Sequence, residues 1–172
     1  MTARSSELSA PPGAACARQV LTFSLGSEGY GVDILRVQEI RGWTPVTRIP
    51  ELPPHVLGVL NLRGAIVPIV DLRLRFNLAH AQFTPLTVII VVSVGTSSGP
   101  REFGLVVDGV SDVVDIDAQN LKETPSLGSG AAVDFIEGLA IVDGRMLIML
   151  NVEELIRRDT EQVSPAALAS VA

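Results

Sequence analysis

The chain has 172 residues, a net charge of −6, a single lysine and only 4% aromatic residues, so it lacks the basic field and stacking rings of a nucleic-acid binder. Its longest apolar run, the nine residues Leu86–Val94, suits a buried strand and is too short to cross a bilayer. The lone Cys16 can build neither a disulfide framework nor a zinc site, and the chain opens on no stretch resembling a signal peptide, so a cytoplasmic protein is expected.

Residues 1–18 read as a flexible, Pro/Ala-rich tail. "VLTFSLG" (20–26) alternates as a strand and runs into a Gly-Ser-Glu-Gly turn, followed by strands over "YGVDI" (30–34) and "VQEIRGW" (37–43). "VTRIPELPPHV" (46–56) is loop, because its prolines cannot donate to a ladder. "GVLNLRGAIVPIVDL" (58–72) reads as a hairpin with Arg63-Gly64 at its turn. "LTVIIVVSV" (86–94) is a central strand and "GTSSGPRE" (95–102) a loop. "FGLVV" (103–107) and "VSDVVDI" (110–116) are expected to form a hairpin through Asp108-Gly109. "SLGSGAA" (126–132) is loop, and "GLAIVDGRMLIML" (138–150) is the last hairpin. Asn151 is a good N-cap for a helix over "VEELIRR", with Glu154 as a capping-box partner, and 164–172 is a frayed end or a short helix.

The chain repeats itself. "YGVDILRVQEI" (30–40) aligns with "FGLVVDGVSDV" (103–113), and "GVLNLRGAIVPIVDL" (58–72) aligns with "GLAIVDGRMLIMLNV" (138–152), both without gaps. Glu39 meets Asp112, Gly58 meets Gly138, Gly64 meets Gly144 and Asp71 meets Asn151. The expected fold is mostly β: two small β-units, each unable to stand alone, closed into packed barrels, with a groove between them as a binding place.

A catalytic constellation is missing. His55 and His80 sit in loops at no useful spacing from a nucleophile or acid, and no phosphate loop, dinucleotide fingerprint or nucleophile elbow occurs. The acidic "DGVSDVVDID" lacks the pattern of a calcium loop. No metal or cofactor is expected. A small β-barrel enzyme would need a dry pocket with convergent polar groups that the sequence does not announce. Charge is uneven: Arg36, Arg41, Arg48, Arg63, Arg73 and Arg75 crowd one stretch, and Asp108, Asp112, Asp115 and Asp117 another, a distribution suited to oriented protein docking or to ordinary solvated surface.

Arg63 is the residue out of place. The second copy has Ile141-Val142-Asp143 where the first has Asn61-Leu62-Arg63, so the architecture does not demand an arginine there. Glu39, isolated in "VQEI", is its expected partner. Val32, Ile34, Val37 and Val59 are expected to supply an apolar patch beside the pair, with Asn61 in support. On these residues alone a structural ion pair and a recognition mark both stand.

These motifs together, "GYGVDILRVQEIRG", "TRIP", "GVLNLRGAIVPIVDLRLRF", "LVVDGVSDV" and "DGRMLIMLNVEEL", resemble the CheW family of chemotaxis coupling proteins over residues 19–157. The resemblance implies two five-stranded SH3-like barrels with a short C-terminal helix, and residues 158–172 as a tail or a continuation of that helix. It implies an adaptor without catalysis, joining the cytoplasmic hairpin tip of chemoreceptors to the regulatory domain of the histidine kinase CheA, with ring assembly with the kinase or with itself. It implies recruitment to membrane-associated receptor arrays without insertion into the membrane. Carried over by motif, Val37, Glu39, Gly58 and Arg63 would contact the receptor; no kinase-contact residues can be assigned. The same motifs would fit an excised CheW-like regulatory domain of such a kinase.

Overall fold

The computed structural model describes residues 18–76, 78, 82–96, 99–122 and 135–162. The expectations for Cys16, His80, the tail up to residue 17, the 126–132 loop and 164–172 fall outside the described residues. Eleven strands and two helices follow in order among these residues. They are β1 (Arg18–Leu25), β2 (Glu28–Asp33), β3 (Val37–Gly42), β4 (Val56–Leu62), β5 (Ala65–Asp71), α1 (Leu72–Arg75), β6 (Val88–Thr96), β7 (Gly99–Val107), β8 (Gly109–Ile116), β9 (Leu121–Lys122), β10 (Ile136–Val142), β11 (Arg145–Leu150) and α2 (Val152–Gln162).

The strands form two sheets, β8-β1-β2-β11-β10-β9 and β3-β6-β7-β5-β4. Each is a five-strand set with the same pattern, the first carrying the two-residue β9 as an extra edge. The sequence repeat explains the pattern. β1, β2, β3, β4 and β5 correspond to β6, β7, β8, β10 and β11, and each sheet takes its first two strand types from one half and the other three from the other half. The two halves therefore exchange strands, and neither sheet is complete without both.

Both sheets close. In the first, edge strands β8 and β9 are joined by a single 3-10 turn (Ala118–Asn120), and β9 pairs with β10. In the second, the chain leaving β3 meets β4 at a Thr47–Val59 bridge, with N–H···O distances of 3.0 and 2.9 Å. We call these barrel A and barrel B. Each seam has a glycine. A Cβ on Gly58 would lie 2.1 Å from the Thr47 carbonyl oxygen, and one on Gly138 would lie 2.7 Å from the Lys122 carbonyl oxygen. Gly58 also holds φ at 150°, where side chains are strained.

Three apolar cores result. Leu62, Val67, Ile69, Ile89, Val91 and Val106 fill barrel B; Val20, Ile116, Ala140, Leu147 and Met149 fill barrel A. The largest lies between the barrels and includes Leu21, Phe23, Val32, Ile90, Val92, Leu105 and, from α2, Leu155 and Ile156. β6 is apolar from Val88 to Val92 because Ile89 and Val91 face one core while Ile90 and Val92 face another. Phe23, Tyr30, Phe76 and Phe135 stack in a column, at successive centroid distances of 5.9, 5.7 and 5.2 Å.

Several local expectations are corrected. Asp108-Gly109 is not a hairpin turn: β7 pairs in barrel B, whereas β8 crosses to pair with β1 in barrel A. The 95–102 stretch is largely ladder, because β6 and β7 pair as far as Thr96 and Gly99. α2 begins after Asn151, whose Oδ1 accepts the Glu154 N–H at 3.2 Å; the Asn151 N–H donates to the Phe135 carbonyl, and the Glu154 carboxylate pairs with Arg157. Asp71, aligned with Asn151, caps the one-turn α1 in the same way, accepting the Arg73 N–H at 3.0 Å.

A buried ionic node ties these parts together. Arg73 and Asp71 are each 1% exposed and make a forked pair, Nε to Oδ1 and Nη2 to Oδ2, both at 2.9 Å. Arg73 Nη1 also donates to Asp108 Oδ1 at 3.1 Å and to the Gln82 carbonyl. Asp108 Oδ2 in turn accepts the Gly26 N–H from the β1–β2 turn at 2.6 Å. Phe83 stacks between the Arg73 guanidinium and Trp43. Burial works against the charge on Arg73, but its bonds to Asp71 and then Asp108 outweigh it and hold its pKa above the ordinary arginine value. Arg73 and Asp108 therefore belong to one internal network and to neither of two opposed charged faces.

Candidate recognition site at the tip of barrel B

The β4–β5 hairpin pairs Leu62 with Ala65, leaving Arg63-Gly64 as a two-residue turn. Both turn residues have positive φ, 53° at Arg63 and 86° at Gly64, the signature of a type I′ turn. Asn61 Oδ1 accepts the Gly64 N–H at 3.0 Å and braces the turn. The left-handed region suits Gly, Asn and Asp; an arginine there is strained. The matching turn of the other half, between β10 and β11, has Asp143-Gly144 at φ 51° and 75°. Arg63 is thus the residue that the turn itself does not favour.

Its side chain reaches across the barrel seam. Arg63 Nη1 lies 3.6 Å from Glu39 Oε2, and Arg41 Nη1 lies 3.4 Å from Glu39 Oε1. The Arg63 side chain is 68% exposed and that of Glu39 30%. Glu39 stands opposite Val91 and Arg41 opposite Ile89, on the strand face that looks into barrel B. The expected Glu39–Arg63 pair is therefore present. Arg41, two residues along the same face of β3, was not singled out from the sequence, although the period-two alternation of a strand places it beside Glu39.

The remaining predicted residues divide. Val37, at the start of β3, is half-buried against the core between the barrels, as is Ile34 in the preceding 3-10 turn. Asn61 is exposed. Val32 and Val59 are 0% and 3% exposed and cannot form a surface patch. Val32 lies in the core between the barrels, and Val59 lies under the Thr47 segment that bridges to it at the seam. Gly58 lies at the barrel seam, where packing explains its identity. The exposed apolar residues on these strands are Ile40 and Ile66. Ile66 follows from the turn, since a two-residue loop at 63–64 sets it opposite Asn61.

Among the described residues no cluster of His, Cys, Asp and Glu could hold a metal, and no helix is long and apolar enough to cross a membrane. His55 follows Pro53-Pro54 and its carbonyl accepts the Asp71 N–H at 2.7 Å.

Two strand-exchanged barrels, one carrying a charged hairpin tip with left-handed backbone, define a β-scaffold protein. Comparison with known proteins names the family. A family model described as a CheW-like domain matches residues 19–160, and the chain belongs to the CheW family. It is 44% identical over 139 residues to the chemotaxis protein CheW of Klebsiella aerogenes, covering 81% of each chain. It is 38% identical over 138 residues to the CheW of Rhizobium meliloti, covering 80% of this chain and 86% of that one. The crystal structure of the scaffolding protein TtCheW from Thermoanaerobacter tengcongensis superposes with a TM-score of 0.69 at 35% identity, covering 77% of this chain and 88% of that one.

Proposed function

We propose that this chain is a non-enzymatic chemotaxis adaptor that couples the cytoplasmic hairpin tips of chemoreceptors to the histidine kinase CheA. The relatives at 44% and 38% identity are chemotaxis proteins, and the solved relative is a scaffolding protein. The observation that carries the reading is Arg63, held at φ 53° on an exposed turn whose counterpart is an aspartate, and aimed at Glu39. Strain kept at an exposed charged tip serves binding. Glu39 and Arg63 are the receptor contacts in this reading, with Val37 beside them on β3. Gly58 acts by letting the Thr47 segment approach β4, which shapes the surface without a side chain. The kinase contact lies elsewhere on the barrels, and many weak contacts repeated in a membrane-associated array gain strength through multivalency.

The test is kinase autophosphorylation in receptor-containing membranes, with and without the protein. Wild type is expected to bring the kinase under receptor control, and folded Arg63→Ala to fail. Kinase output that ignores the wild-type protein refutes the adaptor reading.

A further inference from the structure

The tip of barrel B is electrically incomplete. Two guanidiniums, Arg41 and Arg63, share one carboxylate, and among the described residues Glu39 is the acid within ion-pair reach of either. Neither contact is tight: 3.4 and 3.6 Å exceed the usual length of a charge-assisted N–H···O bond. Arg41 Nε is buried and has no hydrogen-bond partner, the one such side-chain atom among the described residues. A buried donor left unpaired is unfavourable, and so is an excess charge at a partly desolvated barrel mouth.

We infer that Arg41 is a specificity residue of this site and that the occupant is an acidic side chain, a Glu or Asp on the docking helix, which takes a place beside Glu39 and is held between Arg41 and Arg63. This rests on the receptor-adaptor reading and gives the partner's chemistry. A second carboxylate balances the two guanidiniums and frees each from sharing Glu39. Once Glu39 no longer has to hold both, the Arg41 side chain can turn so that its buried Nε, as well as its Nη1, faces a carboxylate. Arg63, mostly exposed on its turn, closes from the other side. A basic residue on the partner would meet two guanidiniums and be rejected, which is how such a site discriminates.

The experiment titrates a purified chemoreceptor cytoplasmic fragment into the whole chain by calorimetry, alongside thermal unfolding. Arg41→Gln removes the charge and leaves a shorter, neutral polar side chain in its place. It is expected to weaken binding by about tenfold or more, the loss of one charge-assisted bond, without lowering the unfolding temperature. Arg41→Glu is expected to abolish binding, and one acid-to-lysine change at the fragment's tip to restore it. Wild-type affinity in Arg41→Gln overturns the inference and leaves the adaptor reading intact. So does an Arg41→Glu defect that no single charge swap on the fragment repairs, or weakening accompanied by a lowered unfolding temperature. A fragment that does not bind the wild-type chain overturns the adaptor reading, and the inference with it.

Discussion

Arg63 and Asp143 hold the same place in two copies of one turn, at φ 53° and 51°, and carry opposite charges. The turn explains the aspartate and not the arginine, because left-handed backbone tolerates Asp and Asn far better than a long side chain. Substituting Arg63→Asn should therefore leave stability close to wild type. Relief of the backbone strain, about 1 kcal/mol, offsets an exposed ion pair worth roughly 0–1 kcal/mol. Chemical denaturation should give coincident midpoints, while receptor control of the kinase is lost. A clear drop in midpoint would make Arg63 a structural residue.

Gly58 and Gly138 should behave in the opposite way. Each faces a backbone carbonyl across a barrel seam, at 2.1 and 2.7 Å from where a Cβ would stand. Backbone cannot swing aside as a side-chain end can. Gly58→Ala is expected to cost on the order of 2–4 kcal/mol, combining overpacking with positive-φ strain. Gly138→Ala should cost less, since its contact is longer and it lacks the positive φ. Denaturant midpoints of the two variants check both the size and the order.

The buried node around Arg73 predicts a non-additive pair. Arg73→Met removes the cation and leaves Asp71 buried among apolar neighbours, which should cost about 3–5 kcal/mol. Adding Asp71→Leu removes the stranded charge, so the double variant should be more stable than Arg73→Met alone, though still short of wild type because Asp71 also caps α1. A double-mutant cycle by urea denaturation measures this. Simple additivity would show that the fork contributes no coupling.

Much of this was legible in the sequence. The Arg63-Gly64 turn follows from two aliphatic strands separated by two residues ending in glycine, and the Glu39–Arg63 pair from two charges that their apolar surroundings do not explain. The failures have physical causes. Asp108-Gly109 looks like a hairpin turn because the dipeptide is local, whereas the choice between folding back and crossing over is made by β1, more than eighty residues away in sequence. Val32 and Val59 read as surface because a strand usually has one wet face, whereas the core between the barrels takes Val32 and the Thr47 segment, paired across the seam, lies against Val59. Arg73 reads as surface charge because nothing in a linear sequence shows that Asp71 folds back onto it. α1 is too short for a helical period, and its one trace was the alignment of Asp71 with Asn151.

Tyr30 reports on the core between the barrels. It is the single tyrosine of the chain, buried in the ring column between Phe23 and Phe76. Burial, and then the nearby Glu28, push its pKa above the ordinary tyrosine value. The raised value means that folding favours the neutral phenol. Its contribution is fully present below the unfolded value of about 10 and is lost as pH rises through the folded value. Phenolate absorbance should titrate above free tyrosine, and Tyr30→Phe should hold its stability to higher pH than wild type. A midpoint equal to that of free tyrosine would mean the ring column is open to water.

The exchange of strands between halves predicts that two barrels unfold as one. Barrel A draws β1 and β2 from the first half and β8, β10 and β11 from the second, and barrel B has the converse make-up. Opening either barrel strips strands from the sequence half that also supplies the other, and it exposes the core between them. Trp43, the single tryptophan, packs on the core of barrel B, while Tyr30 lies in the core between the barrels. Denaturation followed by Trp43 fluorescence and by the near-ultraviolet signal of Tyr30 should give one midpoint and one slope. Calorimetry should return a van't Hoff enthalpy equal to the measured one. Two resolved transitions would mean that each barrel holds its borrowed strands independently, and that the exchange joins the halves without making them cooperative.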